Sequence, residues 1–263
     1  MRDSSLDADR LFFVPADYAA FEEDRRRDEL YNERRKIVRD KLIRLHALIY
    51  PEMRRREWEI YPHWRKEWLV SAWYVSPRMS SIPYLKLRYS KPENLVKRME
   101  KLFLDDFGHF YAHAMMDVVI SEKGLGVEMY VPAAAWVDGQ NLRGKLTNAL
   151  EAQAFREEFA NILRRLDNRF RLQIEEYSEG QRVLVYARRA RSVTNPAQIA
   201  AATAAYRPGA HDLRVIIWYL PDEPCLRKAR IREEVLTCFG QLYPLYQFIT
   251  WSPTNDYRRF AAR

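Results

Sequence analysis

The chain is predicted to be α+β: a mainly antiparallel sheet or sheets built from β-hairpins alternating with helices, behind a long N-terminal amphipathic helix. Three observations carry this prediction. Apolar residues recur at spacings of three and four in some stretches and of two in others, which separates helices from half-buried strands. Paired strand-like runs are joined by short turn-forming segments, as antiparallel neighbours require. The rhythm of two strands and a helix occurs three times without residue-level identity between the units, so it is architectural and not an internal repeat.

Residues 15–50 contain no Gly and, after Pro15, no Pro. Tyr31, Val38, Leu42, Leu45 and Ile49 share one face at helical spacing, predicting a long helix closed by Pro51. On the other face Arg26, Arg34, Arg35 and Arg39 alternate with Glu23, Asp28, Glu29 and Glu33. The acidic neighbours cancel most of the field a phosphate would feel, so this is a solvated, salt-bridged face.

Runs at 68–75 and 84–89 are rich in β-branched and aromatic residues and read as a hairpin with a longer loop. In the second, Lys86 and Arg88 alternate with Leu85, Leu87 and Tyr89, which points the two cations to water. A helix follows at 92–104 on Leu95, Val96, Met99, Leu102 and Phe103. A second hairpin, 110–120 with 127–131, flanks a turn in which Gly124 and Gly126 can take positive φ. Helices are expected at 133–150, weakened by Gly139 and Gly144, and at 152–166 on the stripe Phe155, Phe159, Ile162 and Leu166. Strands 170–177 and 182–186 pair around Ser178-Glu179-Gly180, and 196–205 is an Ala-rich helix. An apolar strand at 213–220, a helix at 226–242 and a strand at 246–251 complete the chain.

The 263 residues suit one large domain or two small ones. The change of pattern near 166–168 suggests an N-terminal lobe, 1–166, and a C-terminal lobe, 167–263, that carries a basic hairpin. No Gly/Ser/Pro linker marks that point, so one compact domain is the other reading. Hydrophobic content of 48% with 30% charged residues excludes intrinsic disorder. Lys+Arg 44 against Asp+Glu 36 leaves a net charge of +8, which favours acidic partners such as DNA or RNA. Cys225 and Cys238, expected on one helix and too far apart to bridge, suit a reducing compartment. Residues 1–10 lack a signal-like apolar run and no stretch has membrane-spanning length, so a cytoplasmic protein with no membrane partner is expected.

The GxxxxGK[ST], strand-led GxGxxG, HExxH, CxxC and GxSxG signatures are absent, so no cofactor, metal or esterase nucleophile is expected. His109, His113 and Asp117, spaced by four, would line one helix face as metal ligands. On a strand they would spread over roughly 26 Å, beyond the reach of one ion. Asp117 and Glu128 fall on consecutive strands, as in a PD-(D/E)xK nuclease core, but Tyr130 stands where the catalytic Lys is needed.

Arg39-Asp40 followed by His46 resembles the Arg-polar and His motif of the HEPN ribonucleases, over the eight residues 39–46. The resemblance implies metal-independent RNA cleavage by Arg39 and His46. That family is a helical bundle, unlike the alternation of hairpins and helices expected here.

The strongest feature is electrostatic. Arg182, Arg188, Arg189 and Arg191 follow one another with no acidic residue between 182 and 191, and Tyr186 lies among them. Guanidinium forks fit phosphates and a tyrosine face stacks on bases or sugars. The same pattern suits a solvated edge strand protected by charge. Arg227, Lys228, Arg230 and Arg232, at the start of the late helix, extend the basic set, and Trp64-Arg65-Lys66 offers a second contact within the aromatic-rich region 58–89. The expected function is a nucleic-acid-binding or assembly subunit that contacts the phosphate backbone without catalysis of its own. The alternatives are a nuclease, using Arg39 and His46 or a metal at His109, His113 and Asp117, and a protein-interaction scaffold working through 58–89.

Overall fold

A computed structural model describes residues 10–148, 150–178 and 181–259. Among them are seven α-helices: α1 Pro15–Ala19, α2 Asn32–Arg55, α3 Glu93–Phe103, α4 Trp136–Thr147, α5 Ala152–Arg165, α6 Pro196–Ala205 and α7 Ile231–Ile249. Six strands, β1 Tyr84–Tyr89, β2 Met115–Ser121, β3 Gly124–Val131, β4 Arg171–Ser178, β5 Gln181–Arg189 and β6 His211–Tyr219, form one antiparallel sheet in the order β1-β2-β3-β6-β4-β5. The fold is therefore α+β, with β5 a terminal strand of the sheet.

Two compact units are interleaved along the chain. The first gathers the described residues of Met1–Tyr89 with Asp117–Val127 and Trp218–Phe239. Its helix α2 buries Val38, Leu42, Leu45, Ile49 and Met53 completely. The predicted 15–50 helix is broken between α1 and α2, where Asp28 caps a 3-10 turn by accepting from the Leu30 N–H at 2.8 Å. Arg35, expected on the wet face, is buried instead. Its guanidinium donates to the carbonyls of Ala20, Arg25 and Asp28, all in the segment where the helix is broken. Pro51 does not close α2, which runs on to Arg55, because the apolar stripe continues through Met53 and its burial outweighs one lost backbone bond.

In the same unit the predicted 68–75 strand is a 3-10 turn, Lys66–Trp68, followed by irregular chain with one isolated bridge, Val70 to Leu87. Val75 is held instead by Asn32, whose amide both donates to and accepts from its backbone. Lys86 and Arg88 are buried, not wet. Lys86 donates to the fully buried Asp117 at 3.1 Å, which pulls the cation inward. Gly124 has φ +117°, as the turn requires, whereas Gly126 is needed for space, since a Cβ there would press on the Trp218 ring. Cys225 lies in a 3-10 turn, Pro224–Leu226, and Cys238 in α7, so the two cysteines are not on one helix.

The second unit gathers Ser90–Met116, Glu128–Ile217 and the described residues of Gly240–Arg263. Helices α4, α5 and α6 pack in succession, and α6 touches β5. The α6 boundaries match the prediction because Asn195 and Gln198 form a capping box and Pro196 takes the first helical position. Of the predicted strand at 246–251, residues 246–249 form the last turn of α7 and 250–251 lie beyond it. Leu242, Leu245, Tyr246 and Ile249 recur at helical spacing and are buried, and this tertiary burial overrides local β-propensity and Pro244. Asn141 and Lys145 of α4 donate to the carbonyls of Ile249 and Phe248, satisfying the C-terminal end of α7.

Candidate nucleic-acid interface

Strand β4 pairs antiparallel with both β5 and β6. Alternation puts Leu172 and Ile174 on one face, and both are buried, opposite Val215 and Leu213 of β6. Arg171, Gln173, Glu175 and Tyr177 therefore share the other face. The register brings Arg189 opposite Arg171 and Arg182 opposite Tyr177, with Val185 as the extra residue of a bulge between them.

A ladder of charges crosses this outer face. Arg214 of β6 lies 3.7 Å from Glu128 and 3.5 Å from Glu175, and Arg182 lies 3.7 Å from Glu175 and 3.8 Å from Asp212. Asp212 also accepts from the Tyr130 hydroxyl at 2.6 Å, and burial, with the Asp212 carboxylate adding to it, pushes that phenol's pKa far up. The next residue, Glu176, pairs with Arg207 at 3.0 Å. Both carboxylates of β4 are thus engaged, and Arg182, expected to be free for phosphate, is neutralised within the ladder.

The remaining arginines are not. Arg171, Arg188, Arg189 and Arg191 are exposed, and among the described residues no carboxylate lies within ion-pair distance of them. Ala190 explains why Arg189 and Arg191 face water: it is buried and its N–H donates to the Phe170 carbonyl at 2.8 Å, pinning the strand exit and turning its neighbours outward. Arg188 and Tyr186 lie together on the opposite face from Arg189. The Arg188 guanidinium sits over the Tyr186 ring at 5.9 Å, so that ring is half-buried and already stacked on its own neighbour. Sequence reasoning missed Arg171. Only strand register reveals it, since eighteen positions separate it from Arg189 in the chain.

The other residues singled out for nucleic-acid contact lie in the first unit. Trp64 stacks on His63 with ring centroids 3.9 Å apart, and Arg65 lies over Trp68 at 4.8 Å, so this loop is knit by its own aromatic contacts while Arg65 and Lys66 stay exposed. Arg227 and Lys228 are exposed and precede α7, held by backbone pairing with the segment around Arg10 and Leu11.

Arg39 pairs with Asp40 at 2.9 Å and lies over the Trp73 ring at 5.0 Å. His46 shares a 2.9 Å hydrogen bond with the buried Tyr89 hydroxyl and stacks on Tyr50, and burial holds its pKa below the ordinary value. Both side chains are therefore engaged in packing. His113 bonds through Nε2 to the Phe107 carbonyl at 2.8 Å, Asp117 holds Lys86, and His109 is an exposed residue flanking a 3-10 turn. Among the described residues no group of three or more His, Cys, Asp or Glu is arranged to hold a metal ion. No helix among them is long and apolar enough to cross a membrane.

One further stretch, Gly139 to Lys145, has the glycine and lysine spacing of a phosphate-binding loop, but Leu146 stands where Ser or Thr is needed. It lies inside α4, where its backbone N–H groups are committed to the helix. Lys145 is buried over the Phe248 ring, and burial pushes its pKa down to about 8. Comparison with protein-family models, with curated proteins and with solved structures finds no match to this chain, so its functional reading rests on its own geometry.

Proposed function

We propose that this protein holds the phosphate backbone of a nucleic acid at the end of the β4–β5 hairpin, without chemistry of its own on the bound strand. One observation carries the reading: Arg171, Arg188, Arg189 and Arg191 are exposed and unneutralised, while Glu175 and Glu176 beside them are already paired. Arg171 and Arg189, directly opposed on neighbouring strands, are like charges that destabilise the fold slightly, and an anion bound between them relieves that cost. Planar guanidinium groups suit phosphate oxygens, and contacts of this kind fix position without reading sequence. Arg65, Lys66, Arg227 and Lys228 strengthen the long-range attraction that the net charge of +8 provides.

The test is titration of fluorescent DNA and RNA oligonucleotides at low and raised salt, with the native chain and with a triple variant, Arg188→Glu, Arg189→Glu and Arg191→Glu. A charge-matched control carries Arg98→Glu, Lys101→Glu and Lys123→Glu, exposed cations outside the proposed contacts. The native chain binds at low salt and loses affinity as salt rises, because neutralised phosphates release counterions. The triple variant loses binding, and the control keeps most of it. Absence of binding at low salt, or equal loss in both variants, overturns the reading.

A further inference from the structure

We infer that the ligand is a single strand, lying along the outer face of the hairpin with a phosphate between Arg171 and Arg189 and a base stacked on Tyr177. The inference rests on the nucleic-acid reading above and adds the class of nucleic acid and the residue that selects it.

Three features of one face meet. Arg171 and Arg189 are directly opposed across β4 and β5, which places their Cβ atoms about 5 Å apart, close enough for both guanidinium groups to reach one phosphate. Tyr177 is on the same face of β4 and is 70% exposed, with no ring stacked on it among the described residues. Leu184 of β5, opposite Glu175 on that face, is 53% exposed and extends the apolar end of the track. From Arg171 to Tyr177 the strand covers roughly 20 Å, so one end of the face offers charge and the other an aromatic surface. The carboxylate between them, Glu175, does not repel a phosphate strand, because Arg182 and Arg214 hold it.

A duplex presents phosphates outward and keeps its bases stacked, so it gains nothing from an exposed tyrosine on a sheet face. A single strand exposes both phosphates and base faces, the combination this surface complements. Arg188 lies on the opposite face and does not belong to the track.

Anisotropy titrations with a single-stranded 12-mer and with the duplex of the same sequence test this, with polyglutamate of equal charge as competitor. The single strand binds at least tenfold more tightly than the duplex. Tyr177→Ala weakens the single strand roughly tenfold and leaves the slope of log affinity against log salt unchanged, whereas Tyr177→Phe binds like the native chain. The double variant Arg171→Gln, Arg189→Gln reduces that slope by about 0.7, the value of one lost phosphate on a single strand. Equal or tighter duplex binding, or native affinity in Tyr177→Ala, overturns the single-strand inference and leaves the phosphate-binding reading standing. Displacement of the 12-mer by polyglutamate as readily as by unlabelled 12-mer overturns it in favour of an acidic polypeptide. Failure of both nucleic acids to bind at low salt removes the underlying reading as well.

Discussion

Asp117 is fully buried and Lys86 2% exposed, and their 3.1 Å contact keeps each charge from standing alone in a low-dielectric interior. Truncating one member of such a pair strands the other. Asp117→Ala is expected to cost about 3–5 kcal/mol, measured by urea unfolding, and Lys86→Met combined with Asp117→Leu recovers most of that loss. His46 supplies a pH prediction. Burial lowers its folded pKa below the ordinary 6.5, so as pH falls through 6.5 the unfolded chain takes up a proton that the folded chain resists. Its contribution is fully present above 6.5 and declines below it. Unfolding free energies at pH 7.5 and pH 5.5 therefore differ less in His46→Gln than in the native chain. At this scale the charged residues were the hardest to read: Lys86, Arg88 and Arg35 look like surface residues until strand and turn partners are known.

Elements were legible where local and tertiary signals agree. The strand Tyr84–Tyr89 and the helix Pro196–Ala205 match their predicted bounds, because alternation in one and a capping box in the other act within a few residues. They were illegible where packing overrode propensity, as in the helical 246–249 and the irregular 69–75. The glycines of α4 make the point quantitatively. Gly139 and Gly144 look like helix weaknesses, yet a Cβ at either would overlap the Tyr206 or the Tyr257 side chain. Alanine gains roughly 1 kcal/mol in helix propensity over glycine, whereas overpacking costs ~1–3 kcal/mol. Because the overlap at Gly144 is with three atoms of the Tyr257 ring at once, Gly144→Ala is expected to lower the thermal midpoint, and calorimetry checks the sign.

For the whole molecule, the net charge of +8 was readable at once, but its distribution was not. The basic character of α2 is offset by pairs such as Arg39 with Asp40 and Lys41 with Asp17, whereas the β4–β5 end keeps its charge. Guanidinium groups stay protonated throughout the accessible range and phosphodiesters stay ionised, so binding is expected to be flat from pH 6 to pH 9 while falling steeply with salt. A titration of affinity with pH across that range checks it; a loss centred near the histidine range would point to a different contact. The two compact units are each assembled from separated stretches, and reading along the chain cannot delineate units of that kind.

Composition, periodicity and turn chemistry were sufficient for the α+β class, most helices, the late hairpin and its run of arginines, since these depend on neighbours a few residues apart. Which arginines keep a net charge depended on strand register. Arg182 is quenched by Glu175 and Asp212 from two other strands, and Arg171 joins Arg189 across a pairing that chain order conceals. Coulomb attraction acts through space over a few ångströms, and only the folded sheet sets which charges come that close.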